Sequence, residues 1–146
     1  MKYFLYLFLI VSAFGCEEYD DLSKPDNHCS DLNCDKCVLI DSAIFNDTQT
    51  TNYFFRDIKI IGNCLKIKYA DSGCDGESFE VDLIDSGAID ETTIEQRNLK
   101  FKLIENEDCE AVIIKEISFD LTPLQINNKK VLLNIEKWEE SILYEY

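Results

Sequence analysis

The chain has 146 residues, of which 46% are hydrophobic, enough for one domain with a sizeable core. Acidic residues outnumber basic ones 29 to 14, giving a formal net charge of −15. So acidic a surface repels phosphate backbones and anionic headgroups, which excludes nucleic-acid binding and docking of the folded domain on anionic lipid.

At the N terminus, Lys2 precedes an apolar run from Tyr3 to Phe14. The run fits the core of an export signal and is shorter than the roughly 20 residues a membrane-spanning helix needs. Cys16 directly follows Ala13-Phe14-Gly15, where a lipoprotein signal peptidase would cut before a diacylglyceryl-modified cysteine. Residues 1–15 are therefore expected to be a signal peptide and Cys16 a lipidation site, making the membrane a partner through an N-terminal lipid anchor. The alternative is ordinary cleavage after Gly15, because Ala13 and Gly15 are small residues at the required spacing. Residues 16–36 hold Glu17, Glu18, Asp20, Asp21 and Pro25 without a hydrophobic period, and read as an acidic tether.

Cys16 is one of seven cysteines; setting it aside leaves Cys29, Cys34, Cys37, Cys64, Cys74 and Cys109, an even set suited to disulfides in an exported chain. Zinc is the rival use of Cys34-x-x-Cys37 beside His28, but no second such pair follows. A redox role for the same pair would need a βαβ setting, and the surrounding pattern lacks it.

From Cys37 onward the period is two. Leu65, Ile67 and Tyr69 alternate with lysines, Phe79, Val81 and Leu83 with acidic residues, and Leu99, Phe101 and Leu103 with lysines. Further strands are predicted near Val38–Phe45, Phe54–Ile61, Ala111–Leu121, Val131–Ile135 and Ile142–Tyr146. Gly62-Asn63, Asp71-Ser72-Gly73, Asp85-Ser86-Gly87 and Asn127-Asn128 read as turns. Asp90–Arg97 is the one stretch with a short helical turn in prospect. Seven to eight short strands over residues 37–146 predict a single all-β domain, an antiparallel, immunoglobulin-like β-sandwich. The alternative is a lipocalin-like up-and-down barrel. If the strands at Phe79–Leu83 and Leu99–Leu103 are antiparallel neighbours, Cys74 and Cys109 extend adjacent ends and can meet. The same logic pairs Cys37 with Cys64 and leaves Cys29 to close a local loop with Cys34.

Chemistry-bearing motifs are sparse. His28 is the only histidine and lies in the tether, a poor setting for nucleophilic catalysis. Carboxylate pairs are too numerous to single one out, and no phosphate-cradling glycine loop is present. No cofactor or metal is expected; calcium is the more serious of the ions weighed against that. Asp31, Asn33 and Asp35 alternate as in a calcium loop, though Lys36 stands where that loop has glycine and Ser42 where it has its bidentate glutamate. Asp71, Asp75 and Glu77 form a second acidic loop. Trp138 with Tyr144 and Tyr146 is a candidate sugar-stacking platform. Asn46-Asp47-Thr48 is a formal N-glycosylation acceptor, and Asp41-Ser42-Ala43 resembles a bacterial O-glycosylation triplet.

The segments Gly62-Asn63-Cys64-Leu65, Asp71-Ser72-Gly73-Cys74, Asn106-Glu107-Asp108-Cys109 and Ser118-Phe119-Asp120-Leu121-Thr122-Pro123, with the closing Ile142–Tyr146, resemble small lipoproteins of Bacteroidota, especially flavobacteria. The resemblance implies a Gram-negative envelope and supplies no activity. The acidic residues behind Cys16 resemble a surface-export signal, which implies an outer-membrane anchor facing the exterior; the periplasmic face or secretion are the alternatives. The expected function is a non-catalytic surface binding or accessory module with a protein or glycan partner. A structural envelope protein packed against partner proteins is the alternative, and an enzyme a distant third.

Overall fold

The computed structural model describes residues 29–146. The signal peptide, Cys16, the acidic residues behind it and His28 lie outside the described residues.

Two sheets face each other. One has the order β1-β7-β4-β3, with β1 at Lys36–Cys37, β3 at Phe54–Ile61, β4 at Cys64–Gly73 and β7 at Ala111–Asp120. The other has the order β2-β5-β6-β8-β9, with β2 at Leu39–Ile40, β5 at Glu80–Asp90, β6 at Gln96–Ile104, β8 at Lys130–Ile135 and β9 at Ile142–Glu145. The expected sandwich is therefore present, and neither sheet closes into a barrel. Its sheets are mixed rather than purely antiparallel, because β1 runs parallel to β7, β2 to β5 and β6 to β8.

The period-two alternation accounts for the core. Leu65, Ile67, Tyr69 and Phe119 point inward from the first sheet, and Val81, Leu83, Leu99, Phe101, Leu103, Val131 and Leu133 from the second. Phe101 is the centre, with ring centroids 5.1 Å from Tyr53, 5.5 Å from Phe55, 5.0 Å from Tyr69 and 6.3 Å from Phe119, all tilted or edge-on.

Four expectations are corrected. The predicted strand from Val38 to Phe45 breaks after Ile40, and Ser42–Asp47 forms a helix, α1. Asp41 starts it: its Oδ1 accepts the N–H groups of Ala43 and Ile44, each at 2.9 Å. Asp90–Arg97 contains no helical turn, and Arg97 belongs to β6. The two Asp-Ser-Gly triplets are not hairpin turns. Asp71-Ser72-Gly73 ends β4, where a Cβ on Gly73 would lie 2.8 Å from the Phe79 ring. Asp85-Ser86-Gly87 is a bulge inside β5, with Gly87 at φ +77° and the pairing register shifting between Asp85 and Ile89. Asp85 itself is wholly buried and holds the bulge: its Oδ1 accepts the Gly87 N–H at 2.7 Å and the Arg97 guanidinium at 2.8 Å.

The fourth correction concerns the tether and its cysteines. Residues 29–36 are built into the domain. Asp120, wholly buried at the end of β7, accepts the N–H of Ser30 at 2.8 Å, of Asp31 at 3.0 Å and of Thr122 at 2.9 Å. Asp35 accepts the Ser118 N–H at 2.8 Å and its hydroxyl at 2.6 Å. The disulfides join Cys29 to Cys37, Cys34 to Cys64 and Cys74 to Cys109, with Cα separations of 5.3, 5.5 and 4.9 Å. Cys74–Cys109 is the expected pair; Cys29–Cys34 and Cys37–Cys64 are not formed. The reason is β7. Cys37 and Cys64 both lie opposite Asp120, on either side of it. They are thus two strand spacings apart, about 9–10 Å, beyond the roughly 7 Å a disulfide can bridge. Non-reducing peptide mapping should recover fragments joined Cys29–Cys37, Cys34–Cys64 and Cys74–Cys109; a Cys37–Cys64 fragment would contradict this topology.

Candidate binding cleft

The aromatic run Tyr53-Phe54-Phe55 leads into β3, and the turn between β8 and β9 carries Lys137-Trp138-Glu139-Glu140. Together these seven residues line a cleft of about 350 Å³. A register shift between Phe55 and Asp57 accompanies the split of the run. Tyr53 is buried and Phe55 half-buried, while Phe54 stands 66% exposed.

Each wall is fixed from behind. The Tyr53 hydroxyl donates to the Phe101 carbonyl at 2.9 Å, and burial pushes it well above its ordinary pKa of 10.0, so it is a fixed donor. Trp138 meets Phe55 edge-on at 6.2 Å. Lys137, at φ +69°, reaches back across the turn; its ammonium donates to the carbonyls of Thr51 at 2.7 Å and Tyr53 at 2.8 Å. It also sits 4.3 Å from the Tyr53 ring centroid. That cation covers the Tyr53 face and lies 5.9 Å from the Phe54 ring centroid as well, so the open part of the cleft is the 66% exposed Phe54 ring edge and Trp138, rimmed by Glu139 and Glu140.

The predicted platform of Trp138 with Tyr144 and Tyr146 is not assembled. Tyr144 is wholly buried, donating to Asn63 Oδ1 at 2.8 Å and accepting from Gln125 at 2.8 Å. Tyr146 packs on it at 4.8 Å and donates to the Ile126 carbonyl. Both tyrosines fasten the C-terminal strand. The partners of Trp138 are instead in the three-aromatic run at positions 53–55, whose density was the available signal.

The calcium candidates do not converge. Asp31 Oδ1 accepts from the Asn33 backbone and side chain, Asp35 holds Ser118, Asp71 accepts the Ser72 N–H, and Asp75 accepts the Glu77 N–H. The second acidic loop is organised by Glu107, whose carboxylate accepts the N–H groups of Cys74, Asp75, Gly76 and Ser78 and the Ser78 hydroxyl. Converging N–H groups suit an anion, which the chain itself supplies. Asp31, Cys34 and Cys64 do gather their ligand atoms within 4.8 Å, but the Cys34–Cys64 disulfide leaves no thiolate for a metal. Cys34 and Cys37 sit in different disulfides, so they form no redox pair with each other. Among the described residues, no helix is long and apolar enough to cross a membrane.

No protein-family model matches this sequence, and no curated protein sequence does. A crystal structure of a protein of unknown function, DUF1344, from Bacteroides vulgatus is similar, with a TM-score of 0.51 at 16% identity over 76% of this chain and 56% of that one. The chain thus spans little more than half the length of that protein, and the likeness is one of fold alone.

The Glu107 arrangement has a measurable consequence. Burial works against its charge, but the N–H groups of Gly76, Cys74 and Ser78 and the Ser78 hydroxyl outweigh that and hold the carboxyl at about 2, against an ordinary 4.5. With the folded value below the unfolded one, the stability it confers is fully present above pH 4.5 and is lost as pH falls toward about 2. Glu107→Gln should lower the Tm at neutral pH and flatten its acid decline across that window in calorimetry. A variant that keeps the wild-type acid profile would show that this carboxylate does not hold the loop.

Proposed function

We propose that the protein is a non-catalytic binding module, displayed on the outer face of a Gram-negative envelope by a lipid on Cys16, and that its ligand is a neutral glycan seated in the Phe54–Trp138 cleft. The observation that carries this reading is the cleft's lining: aromatic faces beside two carboxylates and an ammonium. A pyranose ring has an apolar C–H face that packs on an aromatic ring and a rim of hydroxyls that donate to carboxylates. Pockets with mostly apolar walls and a few polar groups are the usual form of small-ligand sites. A neutral ligand also meets no repulsion from a chain of net charge −15. The described lining residues include no serine, cysteine or histidine, and the Lys137 ammonium is held by two carbonyls, which supports binding without chemistry.

The envelope part of the reading draws on the leader sequence and the disulfides. All six cysteines after Cys16 pair among themselves, which leaves Cys16 free of that duty and favours an oxidising compartment.

Trp138 is the chain's single tryptophan, so its fluorescence reports on the cleft alone. Titration with a panel of neutral hexasaccharides should give a saturable change with at least one of them. Phe54→Ala, at an exposed position that leaves the fold intact, should weaken it about tenfold. A panel without any effect, or wild-type affinity in Phe54→Ala, would overturn the assignment of this cleft.

A further inference from the structure

The second surface is the outer edge of β7; its apolar strip reaches Phe54 of the cleft, but the edge itself does not rest on the reading given to that cleft. β1 pairs with β7 only at Phe119 and Asp120. Just before them, Ser118 donates its N–H to Asp35, and the Asp120 carbonyl accepts from Val38. Those two observations fix which way the main chain of β7 faces: even-numbered residues direct their N–H and C=O away from β4. The main-chain groups of Val112, Ile114 and Glu116 therefore point off the sheet, and among the described residues no strand meets them.

Lys115, on the inner-face side of the strand opposite Tyr69, is the one basic residue in this stretch, and the outer face beside it is apolar. Val112 is 67% exposed and Ile114 51%, on the outer face of the sheet. Ala70 lies opposite Ile114 and Phe54 opposite Ala70, so an apolar strip runs inward from the edge. Acidic residues close the pattern at both ends: Glu110 precedes the strand and Glu116 follows Ile114, both exposed. Glu116 has Lys66 at 3.5 Å and the exposed Lys68 opposite it on β4; such exposed neighbours hold a carboxylate weakly, and it faces solvent beyond the strand edge.

Charge decides the occupant. A second copy pairing edge to edge in the antiparallel register that sets Val112 against Ile114 also sets Glu110 against Glu116. Like charges directly opposite destabilise a strand pair, and each copy carries −15. A segment with basic residues flanking two alternate apolar ones reverses the sign of that contact. We infer that the β7 edge accepts an extended, cationic segment of a partner protein as an added strand, with the pattern basic-x-apolar-x-apolar-x-basic lying against Glu110, Val112, Ile114 and Glu116. Main-chain hydrogen bonds supply the attachment, and the alternate side chains supply the selectivity.

The test uses a fluorescein-labelled peptide, Lys-Thr-Val-Thr-Ile-Thr-Lys, its counterpart with Glu for both Lys, and amide exchange followed by NMR. The basic peptide should bind saturably, slow exchange at the Val112, Ile114 and Glu116 amides, and bind about tenfold more tightly than the acidic one. Ile114→Pro removes an outward N–H without touching the β4 ladder and should abolish binding while the protein stays folded. The double variant Glu110→Lys with Glu116→Lys should reverse the preference between peptides, a readout that does not depend on tolerance of proline. Equal affinity for the two peptides, or undiminished binding to folded Ile114→Pro, would overturn the inference. So would full protection of those three amides before any peptide is added, because a second copy or the residues before Cys29 would then already fill the edge.

Discussion

The carboxylate of Asp120 is the point on which the rest of the structure hangs. It lies wholly buried at the end of β7 and accepts the main-chain N–H groups of Ser30, Asp31 and Thr122 and the Thr122 hydroxyl. Four things meet there: the incoming arm, the parallel β1, the Cys64 end of β4, and the chain's departure through Leu121, whose N–H donates to Asn63. From this junction the chain passes through Val38, wholly buried, from the first sheet into the second. A neutral side chain at position 120 would deprive these part-buried N–H groups of a charged acceptor, at about 1 kcal/mol for each hydrogen bond lost. The Cys29–Cys37 and Cys34–Cys64 disulfides close around the same place.

This use of carboxylates recurs. Asp35 holds Ser118, Asp41 starts α1, Asp85 holds the bulge of β5, and Glu107 gathers four N–H groups of one loop. The acidic excess is thus partly internal: short acidic side chains satisfy main-chain donors that the irregular segments leave over. The environments differ in sign. Burial pushes the Asp85 carboxyl up, with Arg97 and the Gly87 N–H offsetting only part of it. At Asp120 burial also works against the charge, yet the N–H groups of Asp31, Thr122 and Ser30 prevail and hold the carboxyl below its usual range.

How much of this was legible in the sequence follows from the range of each signal. Strands β3 to β9 were legible because their alternation is local and one face of each is buried. The helix after Asp41 was masked by β-favouring neighbours, Val38 to Ile40 before it and Ile44 and Phe45 within it. The Asp-Ser-Gly triplets carry turn chemistry, but one glycine makes room for the Phe79 ring and the other takes a positive φ in a bulge, roles set by distant residues. The arm at 29–36 has no period of its own, since its order comes from Asp120 and Ser118, some 90 residues away in sequence. The disulfides of Cys29, Cys34, Cys37 and Cys64 depended on β7 inserting between β1 and β4, a topological fact with no local trace. The cleft was half legible: Trp138 was singled out, but its partners came from the start of β3 rather than from the last strand.

The folded core therefore leaves two surfaces with unmet capacity, an aromatic cleft at one turn and a bare strand edge, while Asp120 closes the frame at the junction of β1, β4 and β7. The most direct measurement of that frame is a carbon-detected NMR titration of the Asp120 carboxyl, read together with exchange of the Ser30 and Asp31 amides. The account predicts that Asp120 titrates below its ordinary 3.8 and that both amides are protected until it does. An Asp120 carboxyl titrating at 3.8, with Ser30 and Asp31 exchanging as in a free chain, would contradict it.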